Sequence, residues 1–217
     1  MMRSTPNSLI VLALCSAGHT MAQPTLTSGQ YGMVPGDVFT FAACGPVSPG
    51  GSGPDQIWSF DNVVSSNPSD NTFVDPASTA GAAYFPTATV TNQPTGINGG
   101  QYYASSETEE LDLGYFAPPN NVMLCIDPRT IITYPFTYGS TFTDDYVCNE
   151  TGGFSDRVRT GTTTVTADGY GTLELPYGTF NNCLRLHITT TYSDVYGQFS
   201  AIGYGEVETY AFVQPGI

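Results

Sequence analysis

Residues 160–175 read Thr-Gly-Thr-Thr-Thr-Val-Thr-Ala-Asp-Gly-Tyr-Gly-Thr-Leu-Glu-Leu, and this stretch decides the fold class of the chain. Threonine, valine and tyrosine dominate it, and β-branched and aromatic residues are enriched in strands. The Asp168-Gly169 pair lies between two β-rich arms and is typical of a two-residue type I′ turn. We therefore predict a β-hairpin centred on this pair, with Leu173 and Leu175 together on its buried face.

The stretch that follows has the alternation of a half-buried strand. Residues 184–189 read Leu-Arg-Leu-His-Ile-Thr, so every second side chain is apolar. Because successive side chains of a strand point to opposite faces, Arg185 and His187 should lie opposite the apolar row. This pattern predicts an antiparallel strand with one face on the core and one face in solvent.

The rest of the chain has the composition of strands and turns. Its 24 glycines and 16 prolines are spread throughout, and no window has sustained apolar spacing of a helix. We predict a single all-β domain over residues 23–217, in which consecutive antiparallel strands form a meander curled into a barrel-like or half-barrel sheet. A two-sheet β-sandwich is the alternative.

The first 22 residues have the three parts of a secretory signal peptide. Arg3 supplies the positive charge, residues 9–14 form the apolar run, and small residues lead up to Ala22. We expect cleavage after Ala22 and export of the mature chain to the cell surface or the extracellular medium. No later stretch is long and apolar enough for a transmembrane helix, so we expect no membrane anchor.

Export would place the remaining cysteines in an oxidising compartment, where an even number favours disulfides. We therefore expect two disulfides among these four residues and no zinc ribbon or dithiol motif, since no Cys-x-x-Cys spacing occurs. Three pairings are compatible with the sequence. The four cysteines are Cys44, Cys125, Cys148 and Cys183.

The charge of the chain excludes several classes of function. It has 19 acidic residues and five cationic ones, all of them arginine, for a formal net charge of −14. So acidic a chain lacks the basic surface that nucleic acids require. Without lysine it has neither a Schiff-base nucleophile nor a P-loop. We expect no cofactor.

Catalytic residues are scarce. His187 is the single histidine of the mature chain, and no Gly-x-Ser-x-Gly nucleophile elbow is present. Neighbouring carboxylates such as Asp144-Asp145 and Glu109-Glu110 would point to opposite faces of a strand, although Glu206 and Glu208 share a face. We therefore expect no enzymatic activity, and glycoside hydrolysis ranks third among the functions considered.

Two kinds of ligand site have candidate residues. Aromatic rings that stack on sugars would make the chain a carbohydrate-binding module, and the candidates are Trp58, Tyr102, Tyr103 and Tyr177. Calcium binds clustered carboxylates and carbonyls, and the candidate acids are Asp70, Asp75, Asp144 and Asp145. None of these acids fits a defined calcium loop, so ordinary loop acids are the preferred interpretation and no metal is predicted.

Two blocks of the second half resemble a known family. Residues 134–146 read Tyr-Pro-Phe-Thr-Tyr-Gly-Ser-Thr-Phe-Thr-Asp-Asp-Tyr, and residues 166–186 run from Thr-Ala-Asp-Gly-Tyr-Gly-Thr to Asn-Cys-Leu-Arg-Leu. Together they resemble a recurring secreted β-domain of Bacteroidetes-type bacteria, many of whose members carry a C-terminal sorting domain for type IX secretion. The resemblance covers residues 134 to about 215 and implies a secreted or surface-exposed accessory domain.

This chain departs from that family in two respects. Cys183 replaces a small aliphatic residue, which fits an added disulfide, and the sequence ends where family members continue into the sorting domain. We expect either a fragment truncated at its C-terminus or a protein without the sorting step. The predicted function is a non-catalytic structural or adhesive module that contacts a surface or a polysaccharide, and a carbohydrate-binding module is the alternative.

Overall fold

A computed structural model describes residues 23–153, 156–197 and 201–216. The predicted signal peptide, residues 1–22, lies outside these described residues. Strands make up most of what is described, and the helical segments are one turn at Ser28–Tyr31 and two 3₁₀ turns at Pro76–Ser78 and Ala82–Tyr84. The strands are β1 (Thr25–Leu26), β2 (Val38–Phe41), β3 (Gly53–Ser59), β4 (Ser69–Val74), β5 (Val90–Pro94), β6 (Gly100–Ser105), β7 (Glu109–Ala117), β8 (Asn121–Thr133), β9 (Phe136–Thr137), β10 (Thr141–Thr151), β11 (Arg157–Leu175), β12 (Gly178–Tyr196) and β13 (Ala201–Val213).

The main sheet is a long antiparallel meander. Its strands lie in the order β13-β12-β11-β10-β8-β7-β6-β5-β4-β2, and β1 pairs separately with β9. The two end strands, β13 and β2, do not pair with each other, so the sheet is open. The all-β prediction is thus confirmed, in a form consistent with a half-barrel or a sandwich-like fold. Within the described residues, no helix is long and apolar enough to cross a membrane.

The predicted hairpin at Asp168-Gly169 is wrong. β11 continues through this pair, and the chain reverses after Leu175 instead, so that β11 and β12 pair along almost their whole length. A bulge takes the place of the turn, because the register to β12 shifts between Ala167 and Gly169. The continuous pairing of β11 with β12 is favoured because it keeps many more backbone hydrogen bonds than a chain reversal at Asp168-Gly169 would allow.

Beyond the bulge, β11 pairs with a different strand. Its first half pairs with β10, whereas residues 169–174 pair with β3, which runs parallel to it. This is an exception to the predicted antiparallel order. Gly171 permits the close approach, since a Cβ there would lie 1.9 Å from the Gln56 carbonyl oxygen. Trp58 of β3 packs in this region against Leu173 and Cys183.

The main core lies on the inner face of β11 and β12, defined here as the face that carries Val165 and Leu186. Its fully buried members are Leu26, Ile132, Phe136, Val165, Ala167, Leu184 and Leu186. The apolar row predicted from residues 184–188 is therefore confirmed. On the other face, Arg185 is not in solvent as predicted, because the loop at Pro49-Gly50 covers it and leaves it 3% exposed.

One carboxyl group is buried without a cationic partner among the described residues. Glu110 of β7 has no exposed surface, and it accepts hydrogen bonds from the hydroxyls of Ser105 and Tyr134. Burial raises the pKa of Glu110, and the two hydrogen bonds oppose that rise only in part. The neighbouring Glu109 is half-buried, as expected for adjacent strand residues that point to different faces.

One of the two expected disulfides is present. Cys125 of β8 is bonded to Cys148 of β10, directly opposite it in the ladder. Cys44 and Cys183 are free thiols, so the second predicted bridge is absent. Cys44 is exposed, whereas Cys183 is buried beside Trp58.

Candidate functional site

A polar cleft opens on the inner face beside the main core, where β11 and β12 run from Val165 and Ile188 toward Arg159 and Asp194. It contains two adjacent cavities of about 270 and 140 Å³, and Arg129, Tyr146 and Arg159 line both of them. We call this site the arginine cleft. We define it by Arg129, Arg159, Tyr146, Tyr192, Asp112 and Asp194, which five strands contribute.

The register of the sheet brings these residues together. Cys148, Arg159 and Asp194 are direct cross-strand neighbours on β10, β11 and β12. In the next row, Gly161 separates Tyr146 from Tyr192. A Cβ on Gly161 would lie only 2.5 Å from the Tyr146 ring. Gly161 therefore makes room for the Tyr146 ring, and Gly205 of β13 makes room for the Tyr192 ring, since a Cβ there would lie 2.3 Å from that ring.

A buried ion-pair network holds one wall of the cleft. Asp194 is 4% exposed and accepts hydrogen bonds from Arg159 Nε at 2.7 Å and Arg157 Nη1 at 2.9 Å. These bonds, that to Arg159 above all, hold the pKa of Asp194 below its usual range. Arg157 also pairs with Glu150, and the Arg159 guanidinium lies 3.9 Å from the centre of the Tyr192 ring. The network thus fixes Arg159 in place as part of the wall.

Arg129 is bound less completely than Arg157 and Arg159. Its Nη2 donates to Asp112 Oδ2 at 2.8 Å, and its side chain is 38% exposed. Within the described chain, Nε and Nη1 of Arg129 have no protein acceptor. Asp112 itself is 8% exposed and accepts a further hydrogen bond from Gln101. One nitrogen of the Arg129 guanidinium is therefore hydrogen-bonded to the protein, and the other two have no acceptor within the described chain.

The larger cavity becomes apolar toward the core. Beyond Tyr146 and Tyr192, its wall includes Val165, Ile188 and Val207. The hydroxyls of Thr163 and Thr190 also lie on this wall, but they are hydrogen-bonded to each other at 3.0 Å. The cavity therefore joins a cationic end at Arg129 to an apolar end whose two buried hydroxyls are already paired.

The four residues proposed to stack on sugars do not form a platform. Trp58 is 2% exposed and donates to the Gly51 carbonyl, and Tyr102 is fully buried against Phe85. These two are core residues, because a β-domain uses its large rings for packing first. Tyr177 is 79% exposed at the β11–β12 turn. Tyr103 is half-buried, and it lies directly opposite Asp112 at the cleft margin.

The calcium candidates are likewise dispersed, and each carboxylate already accepts a hydrogen bond from a protein group. Asp70 accepts from the Thr40 hydroxyl, and Asp75 caps the 3₁₀ turn that follows it. Asp144 accepts from the Thr130 amide, whereas Asp145 accepts from the Thr162 hydroxyl on the other face. No group of three or more metal-ligating side chains occurs in the described part of the chain.

The remaining acid–base candidates lie on the opposite face of the sheet from the cleft. His187 Nε2 is 2.7 Å from Glu208 Oε1, and its ring stacks on that of Tyr210. Hydrogen bonds from Tyr210 and His187 lower the pKa of Glu208. Glu206 projects beside Glu208 on the same exposed edge strand. These groups line none of the cavities described above.

Sequence reasoning missed the residues that form the cleft. Arg129, Tyr146, Arg159 and Tyr192 come from four strands, and nothing in their spacing connects them before the register is known. One signal was available: the chain has only five arginines, and the cleft and its wall use three of them. No known protein family, curated protein or solved structure matches the chain.

Proposed function

We propose that the protein is an exported, non-catalytic binding module that holds a ligand with an anionic group in the arginine cleft. The observation that carries the proposal is the partial coordination of Arg129, which leaves N–H donors without a protein acceptor at the junction of two cavities. A guanidinium placed in this way favours a carboxylate or another planar anion. Export is supported by the Cys125–Cys148 disulfide, since such bonds persist in oxidising compartments.

A non-catalytic role is supported by the pairing of the cleft carboxylates. A glycoside hydrolase needs one free acid and one free base on either side of its substrate. Here Asp112 is paired with Arg129, and Asp194 with Arg157 and Arg159. Each carboxylate is thus committed to an arginine, which favours recognition over proton transfer. An adhesive role would follow if the ligand belongs to a larger surface.

The test compares each acid with a neutral molecule of the same skeleton. D-glucuronate and glucose form one pair of probes, and benzoate and benzyl alcohol form the other. In NMR titrations of the protein, we expect at least one acid to shift cleft resonances at concentrations where its neutral partner does not. The proposal fails if neither acid binds, or if each neutral partner binds as tightly as its acid.

A further inference from the structure

We propose that the cleft ligand is a small apolar monocarboxylate, of the size of an aromatic or short aliphatic carboxylic acid. Its carboxylate would contact Arg129, and its apolar body would fill the larger cavity. This inference rests on the proposed function and specifies the chemical class of its ligand.

The head group follows from the donors of Arg129. Each terminal nitrogen of a guanidinium carries two hydrogens, and Nε carries one. Asp112 takes a single hydrogen of Nη2. Whichever hydrogen that is, one edge of the guanidinium keeps two parallel N–H groups. Such an edge binds a planar carboxylate through two hydrogen bonds.

The charge of the surroundings disfavours a ligand with more than one negative charge. Three guanidinium groups, those of Arg129, Arg157 and Arg159, stand among four carboxylates. The carboxylates belong to Asp112, Asp144, Glu150 and Asp194. These charges sum to −1, so a dianion such as phosphate would meet more repulsion than a monoanion, because like charges in a desolvated site disfavour further charge. A monoanion whose charge is spread over two oxygens suits one exposed guanidinium.

The apolar body follows from the wall of the larger cavity. Val165 and Ile188 line its inner end and Val207 its exposed edge, and the hydroxyls of Thr163 and Thr190 bond to each other. Thr130 and Thr209 are the other threonines on its wall, so a sugar ring placed there would bury more hydroxyls than the cavity could pair, which is unfavourable. A hydrocarbon ring would gain from the loss of its contact with water. The volume of about 270 Å³ is slightly below the usual range for ligand sites and suits a single ring.

The first arm of the test compares probes on the native protein. Benzoate, D-glucuronate and inorganic phosphate are titrated separately, and binding is followed by protein NMR. We expect benzoate to bind at least about tenfold more tightly than D-glucuronate and phosphate, because only its ring matches the apolar wall.

The second arm removes the head-group contact. Arg129→Gln alone would leave the buried Asp112 unpaired, so the variant used is Arg129→Gln with Asp112→Asn, which keeps a neutral hydrogen-bonding pair. Loss of a bidentate contact to a charged group should weaken benzoate binding about tenfold or more. Unchanged benzoate binding in this double variant would overturn both the inference and the proposed function.

The third arm fills the cavity from its exposed edge. Val207 lies on edge strand β13 and is 47% exposed, so Val207→Trp adds volume at the cavity without cutting into the core. Ile202→Trp is the matched control, since Ile202 lies on the same strand, is exposed, and points to the opposite face. We expect benzoate binding to be lost in the first variant and retained in the second.

The outcomes separate the two proposals. Tighter binding of D-glucuronate than of benzoate, abolished in the Arg129 double variant, would overturn the apolar ligand and retain the anion-binding module. Benzoate binding that survives Val207→Trp would also overturn the inference, because the ring would then lie outside the cavity. Absence of binding by every acidic probe would overturn both.

Discussion

Replacement of Arg185 by methionine should lower the free energy of unfolding by about 3 kcal/mol, the lower end of the range for breaking a buried ion pair. Arg185 is 3% exposed, and two of its nitrogens donate to Asp168 at 2.8 Å each. Its Nη1 donates to the carbonyls of Pro49 and Gly50 at 3.1 and 2.7 Å. Methionine keeps much of the apolar stem but none of these hydrogen bonds. The Asp168 side chain is 19% exposed, so renewed contact with water offsets part of the loss.

Urea unfolding, followed by the fluorescence of Trp58, measures this change. The midpoint should fall while the slope stays constant, as expected for a change in stability alone. His187→Ala is the matched control, because His187 lies two residues further on the same strand and face. Its bond goes to a carboxylate that is 58% exposed, so the loss should be about 0.5 kcal/mol or less. If Arg185→Met costs no more than His187→Ala, the loop at Pro49-Gly50 is not held by Arg185.

Three further predictions concern a buried carboxyl group, a close contact between strands and the free thiols. Because burial raises the pKa of Glu110 above its ordinary 4.5, the native state holds this proton more tightly than the unfolded state does. Stability should therefore fall as pH rises from 4.5 through the raised pKa, and Glu110→Gln should flatten that fall in urea titrations across the same window. Gly171→Ala places a Cβ 1.9 Å from the Gln56 oxygen and should cost about 1–3 kcal/mol, whereas Gly178→Ala, with 3.6 Å to its nearest neighbour, should cost less in the same assay. In native protein that lacks residues 1–22, and with them Cys15, an alkylating reagent should label Cys44 and leave Cys183 unmodified until unfolding, because Cys183 is 1% exposed and burial raises its pKa. Intact mass would then show one adduct, and two adducts would contradict the burial.

The sequence predicted local features well where one strand was sufficient. The alternation at residues 184–188 placed Leu184 and Leu186 in the core, because side-chain direction in a strand depends only on its own period. The Asp168-Gly169 turn failed for a different reason. Its local preference was real, but the pairing of β11 with β12 and β3 outweighed it, and that pairing joins segments far apart in the sequence.

The arginine cleft could not be predicted from the sequence either, because it too depends on pairing between segments that are far apart in the chain. Its walls depend on which residues stand opposite each other across five strands, and a bulge between Val147 and Cys148 alters that register. Trp58 and Tyr102 were proposed as ligand contacts on residue type alone. Residue type does not distinguish a ring on the surface from a ring in the core, and both of these rings are buried.

The parallel contact between β3 and β11 has a consequence for the order of folding. Trp58 meets Leu173 across more than a hundred residues of sequence, whereas β11, β12 and β13 are joined by short connections. Closing the longer loop costs more chain entropy, so we expect the C-terminal hairpins to form before β3 docks on them. Trp58 is the only tryptophan in the chain. During refolding, the change in Trp58 fluorescence should therefore occur later than the appearance of sheet structure in circular dichroism. The fluorescence change would report when β3 docks on β11.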